Sequence, residues 1–160
     1  MAAHNVGVCK SNGDFFICVD SDDRLSASAL SDIAINVNKI NMGVIGIVAY
    51  RGFSDNNYHQ HHNFPTNLGT STLMNLYKQG FEGDTALCFK TEVLRKHLFP
   101  RFGEEKFLTE GYVYDQIDQE GELYLLGKVL IECEYQEDGY TNNWLLQYKN
   151  NPLGWRAYFV

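Results

Sequence analysis

Phe15-Phe16-Ile17-Cys18-Val19-Asp20-Ser21-Asp22-Asp23 is the stretch that decides the fold. Its first five residues are bulky and apolar without polar alternation, which predicts a strand buried on both faces in the middle of a parallel sheet. The next four form an acidic turn at the strand's carboxyl end, where open α/β sheets bind their ligands. Two like charges about 4 Å apart repel by roughly 1 kcal/mol in water and about 4 kcal/mol near a protein surface, so Asp20, Asp22 and Asp23 crowd together only with an opposing charge. A hard divalent cation, held by one or two carboxylates and completed by water and phosphate oxygens, would supply it. The competing reading is a solvated turn that merely ends a strand, and the rest of the chain bears on the choice.

Downstream, Leu30, Ile33, Ala34, Val37 and Ile40 recur at helical spacing with Ser26 or Ser28 as cap, predicting a helix of about 15 residues. Gly43 ends it, and Val44 to Tyr50 reads as a second buried strand, completing a parallel strand-helix-strand crossover. Residues 51 to 70, rich in Asn and His and carrying Pro65 and Gly69, read as a long excursion near the sheet's edge, of the kind that binds something or moves. Within it, His59, His61 and His62 match no helix-facing pair or zinc framework. Further elements follow from the same signals: a helix over Thr72 to Gln79, a short strand over Ala86 to Lys90, and helices over Glu92 to His97 and Leu108 to Asp118. A strand over Leu123 to Cys133 contains Gly127, and the tail from Thr141 forms amphipathic helices broken at Asn151-Pro152. No repeat or linker divides residues 1–160, which therefore read as a single domain.

A chain of 160 residues suffices for a core that buries around 70% of the unfolded surface. A net charge of -7 excludes a nucleic-acid backbone as the expected partner, but not a nucleotide whose phosphates a metal bridges to carboxylates. Cys9, Cys18, Cys88 and Cys133 show no close pairing, so reduced, buried cysteines in a cytoplasmic protein are expected. No stretch of 18 apolar residues is present, and the start Met1-Ala2-Ala3-His4-Asn5 lacks a charged-then-apolar leader.

Ala3-His4-Asn5-Val6-Gly7, then Ser11-Asn12-Gly13-Asp14-Phe15-Phe16-Ile17, then Asp20-Ser21-Asp22-Asp23 resemble the middle of a family 2 glycosyltransferase. The likeness continues in order through Gly83-Asp84, Thr91-Glu92-Val93-Leu94, Phe99-Pro100, Gly103-Glu104-Glu105-Lys106-Phe107 and Thr109-Glu110. It runs on through Glu134-Tyr135, Asp138-Gly139-Tyr140-Thr141 and Asn151-Pro152-Leu153-Gly154, and so covers nearly the whole chain. Asp-x-Asp alone is a weak signal; the ordered series is far more specific.

The resemblance implies an α/β fold of GT-A type, a Rossmann-like mixed sheet flanked by helices and incomplete on its N-terminal side. It implies an inverting, metal-dependent sugar transfer from a nucleotide-sugar donor, such as a UDP-sugar, to a hydroxyl on a glycan or lipid-linked acceptor. Mn2+ or Mg2+ would sit on Asp22, with Asp20 on the metal or the nucleoside side of the donor and Asp23 supporting the turn. Glu110 is the implied base that takes the acceptor's proton. Many relatives carry Glu-Asp here, whereas this chain has Glu110-Gly111, which leaves Asp115 as the alternative base. Asp84 and Asn5 fall at donor or acceptor positions, while His4 stands where relatives more often have Arg. The location implied is cytoplasmic, peripheral at the inner face of a bacterial membrane where surface glycans are built.

In the family, strands carrying the base and ribose pocket precede the position of Ala3. The expectation is therefore an exposed apolar edge along Phe15 to Val19, prone to self-association, and a chain inactive by itself. Two other readings compete: a non-catalytic remnant or interaction domain of the same fold, and a haloacid-dehalogenase-type phosphatase. The phosphatase pattern fails after the second Asp, where Arg24 enters, and again at Cys88, where a further Asp belongs.

Overall fold

The computed structural model describes residues 1–52, 63–65, 67–133 and 144–160, with the side chain of residue 144 excepted. In chain order the elements are α1 (Ala2–Lys10), β1 (Phe15–Ile17), β2 (Arg24–Leu25), α2 (Ala29–Val37), β3 (Val44–Gly52), β4 (Thr70–Ser71), α3 (Leu73–Lys78) and β5 (Thr85–Lys90). Then come α4 (Thr91–Lys96), α5 (Gly111–Ile117), β6 (Glu122–Glu132), α6 (Trp144–Asn150) and α7 (Pro152–Phe159). The strands form one mixed sheet in the order β1-β5-β3-β6-β2, with β4 paired to β6. Helices flank it, so the chain is a mixed α/β protein.

The centre of the sheet is β3, not β1. Residues Val44 to Tyr50 are all buried, between antiparallel β5 and parallel β6. From Ile47 onward the strand alternates: Ile47 and Ala49 join Ala29 and Ile33 on one face, while Val48 and Tyr50 join Leu73, Leu76, Val93 and Val113 on the other. The alternation of β6 survives a register shift between its pairs Ala49↔Leu126 and Tyr50↔Val129, which places Gly127 and Lys128 in a bulge.

The expected central parallel position for Phe15 to Val19 is corrected here. Only Phe15–Ile17 is a strand; it is antiparallel to β5 and, among the described residues, lies at the sheet's edge. Phe16 packs toward the core that holds Val8, while Phe15 and Ile17 pack toward the core that holds Ala29. Both faces are thus partly covered, Phe15, Phe16 and Ile17 being half-buried, which is why the strand is apolar throughout. Unbroken apolar sequence reports covered faces and says nothing about neighbours within the sheet. The expected crossover is corrected in the same sense: β1 and β3 are both antiparallel to β5, hence run the same way, but β5 lies between them.

The second helix is nine residues, shorter than expected. Ser26 does not cap it, because its hydroxyl donates to the Val129 carbonyl at 2.8 Å. At the other end, the amides of Asn36 and Asn38 donate to the carbonyls of Asp32 and Ala34, competing with the backbone where the helix stops. Thr72, expected inside the next helix, instead stands just before it and caps it, its hydroxyl accepting from Asn75 N–H at 3.2 Å. The remaining donors at the start of α3 are met from far along the chain: the Asp118 carboxylate accepts from Leu73 N–H at 2.9 Å and Met74 N–H at 2.7 Å.

All four cysteines are free; Cys88 and Cys133 are buried, whereas Cys9 and Cys18 are exposed, contrary to expectation. Among the described residues no helix is long and apolar enough to cross a membrane. The expected His59, His61 and His62 loop, and the segments Glu134-Tyr135 and Asp138 to Thr141, lie outside the described residues.

Candidate functional site at one edge of the sheet

Strand directions gather the polar residues. β1, β3 and β6 run the same way, and β5 runs against them, so the ends of the first three meet the start of the fourth at one sheet edge. That edge carries Asp20 after β1, Arg51 near the end of β3, Asp84 just before β5 and Cys133 just after β6. Residues Asp20 to Asp23 make a tight turn closed by Asp23 N–H donating to the Asp20 carbonyl at 3.1 Å.

Arg51 supplies the opposing charge. Its Nη2 lies 2.9 Å from Asp20 Oδ2 and 2.5 Å from Asp23 Oδ2. The Asp23 side chain is only 3% exposed against 59% for Asp20, so Asp23 is the buried anchor and Asp20 the outer one. Burial is the leading influence on Asp23 and pushes its carboxyl above the usual range, with Arg51 pulling the other way. Burial works against the Arg51 charge too, but Asp23 and Asp20 outweigh it and raise the guanidinium's pKa, so the residue stays charged. Asp22 is exposed and, among the described residues, has no hydrogen bond or ion pair.

Glu110 precedes the first turn of α5, and its carbonyl accepts from Val113 N–H and Tyr114 N–H at 3.0 Å each. Its side chain makes no capping bond, so the ordinary structural use of a carboxylate at this position does not account for it. Glu110 is exposed, yet desolvation by surrounding protein is the leading cause that raises its pKa; the Asp20 charge adds to this, Arg51 and the N-terminal ammonium oppose it, and Asp84 adds a smaller push. These influences place Glu110, Asp20, Arg51 and Asp84 in one electrostatic neighbourhood. Tyr114 belongs to it as well: burial first, then the charges of Glu110, Cys18 and Asp20, push its hydroxyl far up. Asp115 instead feels Asp118 and acts on Tyr158, and no coupling to Asp20 accompanies it.

A side chain at Gly111 would crowd Tyr158, since a Cβ there comes within 3.0 Å of the phenol oxygen. Tyr158 belongs to α7, which is fixed by two reciprocal contacts. The Glu105 carboxylate accepts from Leu153 N–H at 2.7 Å and Gly154 N–H at 2.8 Å, while Asn151 Oδ1 accepts from Lys106 N–H at 3.2 Å and Phe107 N–H at 3.1 Å. The segment that leads to Glu110 and the start of α7 therefore hold one another.

Asn5 is engaged in packing between α1 and the segment that follows α4. Its amide donates to the Phe99 carbonyl at 2.9 Å and accepts from Phe99 N–H at 3.0 Å, so both halves of the group are engaged in tying α1 to the end of α4. Asn5→Ala is expected to lower stability by about 1–3 kcal/mol through two broken, partly buried bonds. Urea unfolding checks this, and a midpoint equal to that of the unsubstituted protein would refute the clamp. His4 sits edge-on to Phe16 and Phe99, with centroids 5.5 and 5.0 Å away, again a packing position.

Among the described residues, no group of three or more His, Cys, Asp or Glu side chains is arranged to hold a metal ion. Of the two expected ligands, Asp20 is engaged by Arg51 and Asp22 is free. That donor set fits a cation held by one carboxylate and completed by phosphate oxygens and water; it does not fit one held by protein alone. Arg51 is the residue that sequence reading missed. Its signal is a lone cation ending an otherwise apolar strand, followed by Gly52. No family model matches the chain, and no curated protein or solved structure is significantly similar to it.

Proposed function

We propose that the chain is the metal- and acceptor-side part of an inverting glycosyltransferase of GT-A type, using a nucleotide-sugar donor. What supports this reading is that Asp20 and Asp84, at strand ends on one side of the sheet, both act electrostatically on the exposed Glu110, whose affinity for a proton is raised first by desolvation from surrounding protein and then by Asp20. A carboxylate raised in this way is suited to take a proton from an attacking hydroxyl near neutral pH. Asp22 is the residue that would hold Mn2+ or Mg2+, and such an ion would supply Lewis-acid stabilisation of a departing diphosphate. Asp23, clamped by Arg51, keeps the turn in shape, and Asp84 borders the place of the sugar. In a single displacement the base and the leaving group lie on opposite sides of the anomeric carbon, which inverts it.

Calorimetric titration with inorganic pyrophosphate tests the reading, because pyrophosphate presents the charges that the turn would meet through a metal and leaves out base and ribose. Binding is expected with Mn2+ present and not without it, and Asp22→Ala is expected to weaken it about ten-fold or more. Pyrophosphate binding that ignores Mn2+, or that survives Asp22→Ala unchanged, would sink the metal role and with it the transferase reading.

A further inference from the structure

We propose that Arg51 is a built-in counter-ion that competes with divalent cations for the acidic turn. The claim goes beyond the transferase reading and shares with it the turn and a divalent cation on Asp22, but no sugar transfer. Asp20 and Asp23 both reach the same Nη2 atom, at 2.9 and 2.5 Å, from a turn that also brings Asp22 close enough to raise the Asp23 pKa. Three carboxylates within four residues would repel one another and fray the turn without a cation among them. Here the cation is covalently part of β3, at a half-buried position where a charge is costly unless paired.

Among the described residues, the other charged or titratable groups in this neighbourhood are Glu110 and Tyr114 from α5 and its start, Asp84 beside β5, Cys18 after β1, Cys133 after β6 and the N-terminal ammonium, which acts on Cys18 and Glu110. Among the described residues, the carboxylates of Asp20, Asp22, Asp23, Asp84 and Glu110 outnumber the cations Arg51 and the N-terminal ammonium, so the neighbourhood keeps an acidic excess with Arg51 in place. Asp22 remains as an outward ligand of modest strength. An arriving cation must therefore bring further oxygens with it, as a cation on a diphosphate does, or else displace Arg51 from Asp20. The turn is assembled before any metal arrives and takes a bare metal weakly.

The experiment titrates Mn2+ alone into the full chain and follows free Mn2+ by electron paramagnetic resonance. Arg51→Met is expected to bind Mn2+ about five-fold or more tightly than the unsubstituted protein, Arg51→Lys to fall between them, and Asp22→Asn added to Arg51→Met to cancel the gain. Equal or weaker binding by Arg51→Met would overturn the proposal. A stability cycle guards against a variant that folds poorly: Asp23→Asn is expected to lower the melting temperature of the unsubstituted protein but to raise that of Arg51→Met. A drop of similar size in both backgrounds would also overturn it. Neither readout involves sugar transfer, so a positive result with no transferase activity would leave this inference standing while the proposed function fell.

Discussion

Gly46→Val is expected to destabilise the protein sharply, moving its urea midpoint well below that of the unsubstituted chain. Gly46 sits in the central strand, paired with Phe89 on one side and Leu123 on the other. A Cβ at this position would overlap the Cys88 carbonyl oxygen, lie 2.9 Å from Phe89 Cα and press on the Leu123 side chain at 3.1 Å. Two of these three obstacles are backbone atoms of the neighbouring strand, which cannot swing aside as a side-chain tip could. Overpacking of this kind costs about 3 kcal/mol or more, against a total stability of roughly 5–15 kcal/mol for a domain. Urea unfolding followed by far-UV circular dichroism reads the effect. A wild-type midpoint for Gly46→Val would show that β3 and β5 do not approach as described.

On the proposed reading, Glu110→Gln is expected to lower sugar transfer by the full-length transferase of which this chain is proposed to be a part by about a hundred-fold or more, the amount a positioned base commonly contributes. Glutamine retains size and polarity and removes only the ability to accept the proton, so stability should change little. The pH dependence carries a further sign. Desolvation by surrounding protein first and Asp20 second raise the Glu110 pKa, so the base is still protonated where an ordinary glutamate would have ionised. Activity should therefore fall off on the acid side at a higher pH than an unperturbed glutamate would give. Asp20→Asn removes one of the raising charges and should move that limb toward lower pH. Asp115→Asn, whose neighbours are Asp118 and Tyr158, should leave the limb where it is. Transfer that persists in Glu110→Gln and vanishes in Asp115→Asn would reverse the assignment.

Boundaries set by single residues were legible in the sequence. Gly43 has a φ of 95°, a backbone shape that favours glycine, and β3 begins at the next residue. Thr72, expected as the first residue of α3, is its cap, and the Asn151-Pro152 step separates α6 from α7 with proline in the first turn. Sheet order was not legible, because it depends on which strand ends find each other across long stretches of chain. Phe15 to Ile17 were expected to be fully buried at the sheet's centre and are half-buried at its edge for that reason. The same gap hid Arg51. Asp20, Asp84 and Glu110 were named through their resemblance to an ordered series of motifs, whereas Arg51 becomes notable only once β5 is seen to lie between β1 and β3 and bring the ends of all three together. Asn5, also named through resemblance, turned out to have its amide occupied by Phe99, an engagement set by tertiary packing.

The paired contacts between Glu105 and residues 153–154, and between Asn151 and residues 106–107, give two distant stretches the behaviour of one mechanical part. Gly111 extends that part, since Tyr158 rests against it directly beside Glu110. The last helix thus acts as a strut under the loop that presents the carboxylate. A load applied at the carboxyl end, by a fused domain or a docked neighbour, would travel along α7 and change where Glu110 points without touching the acidic turn.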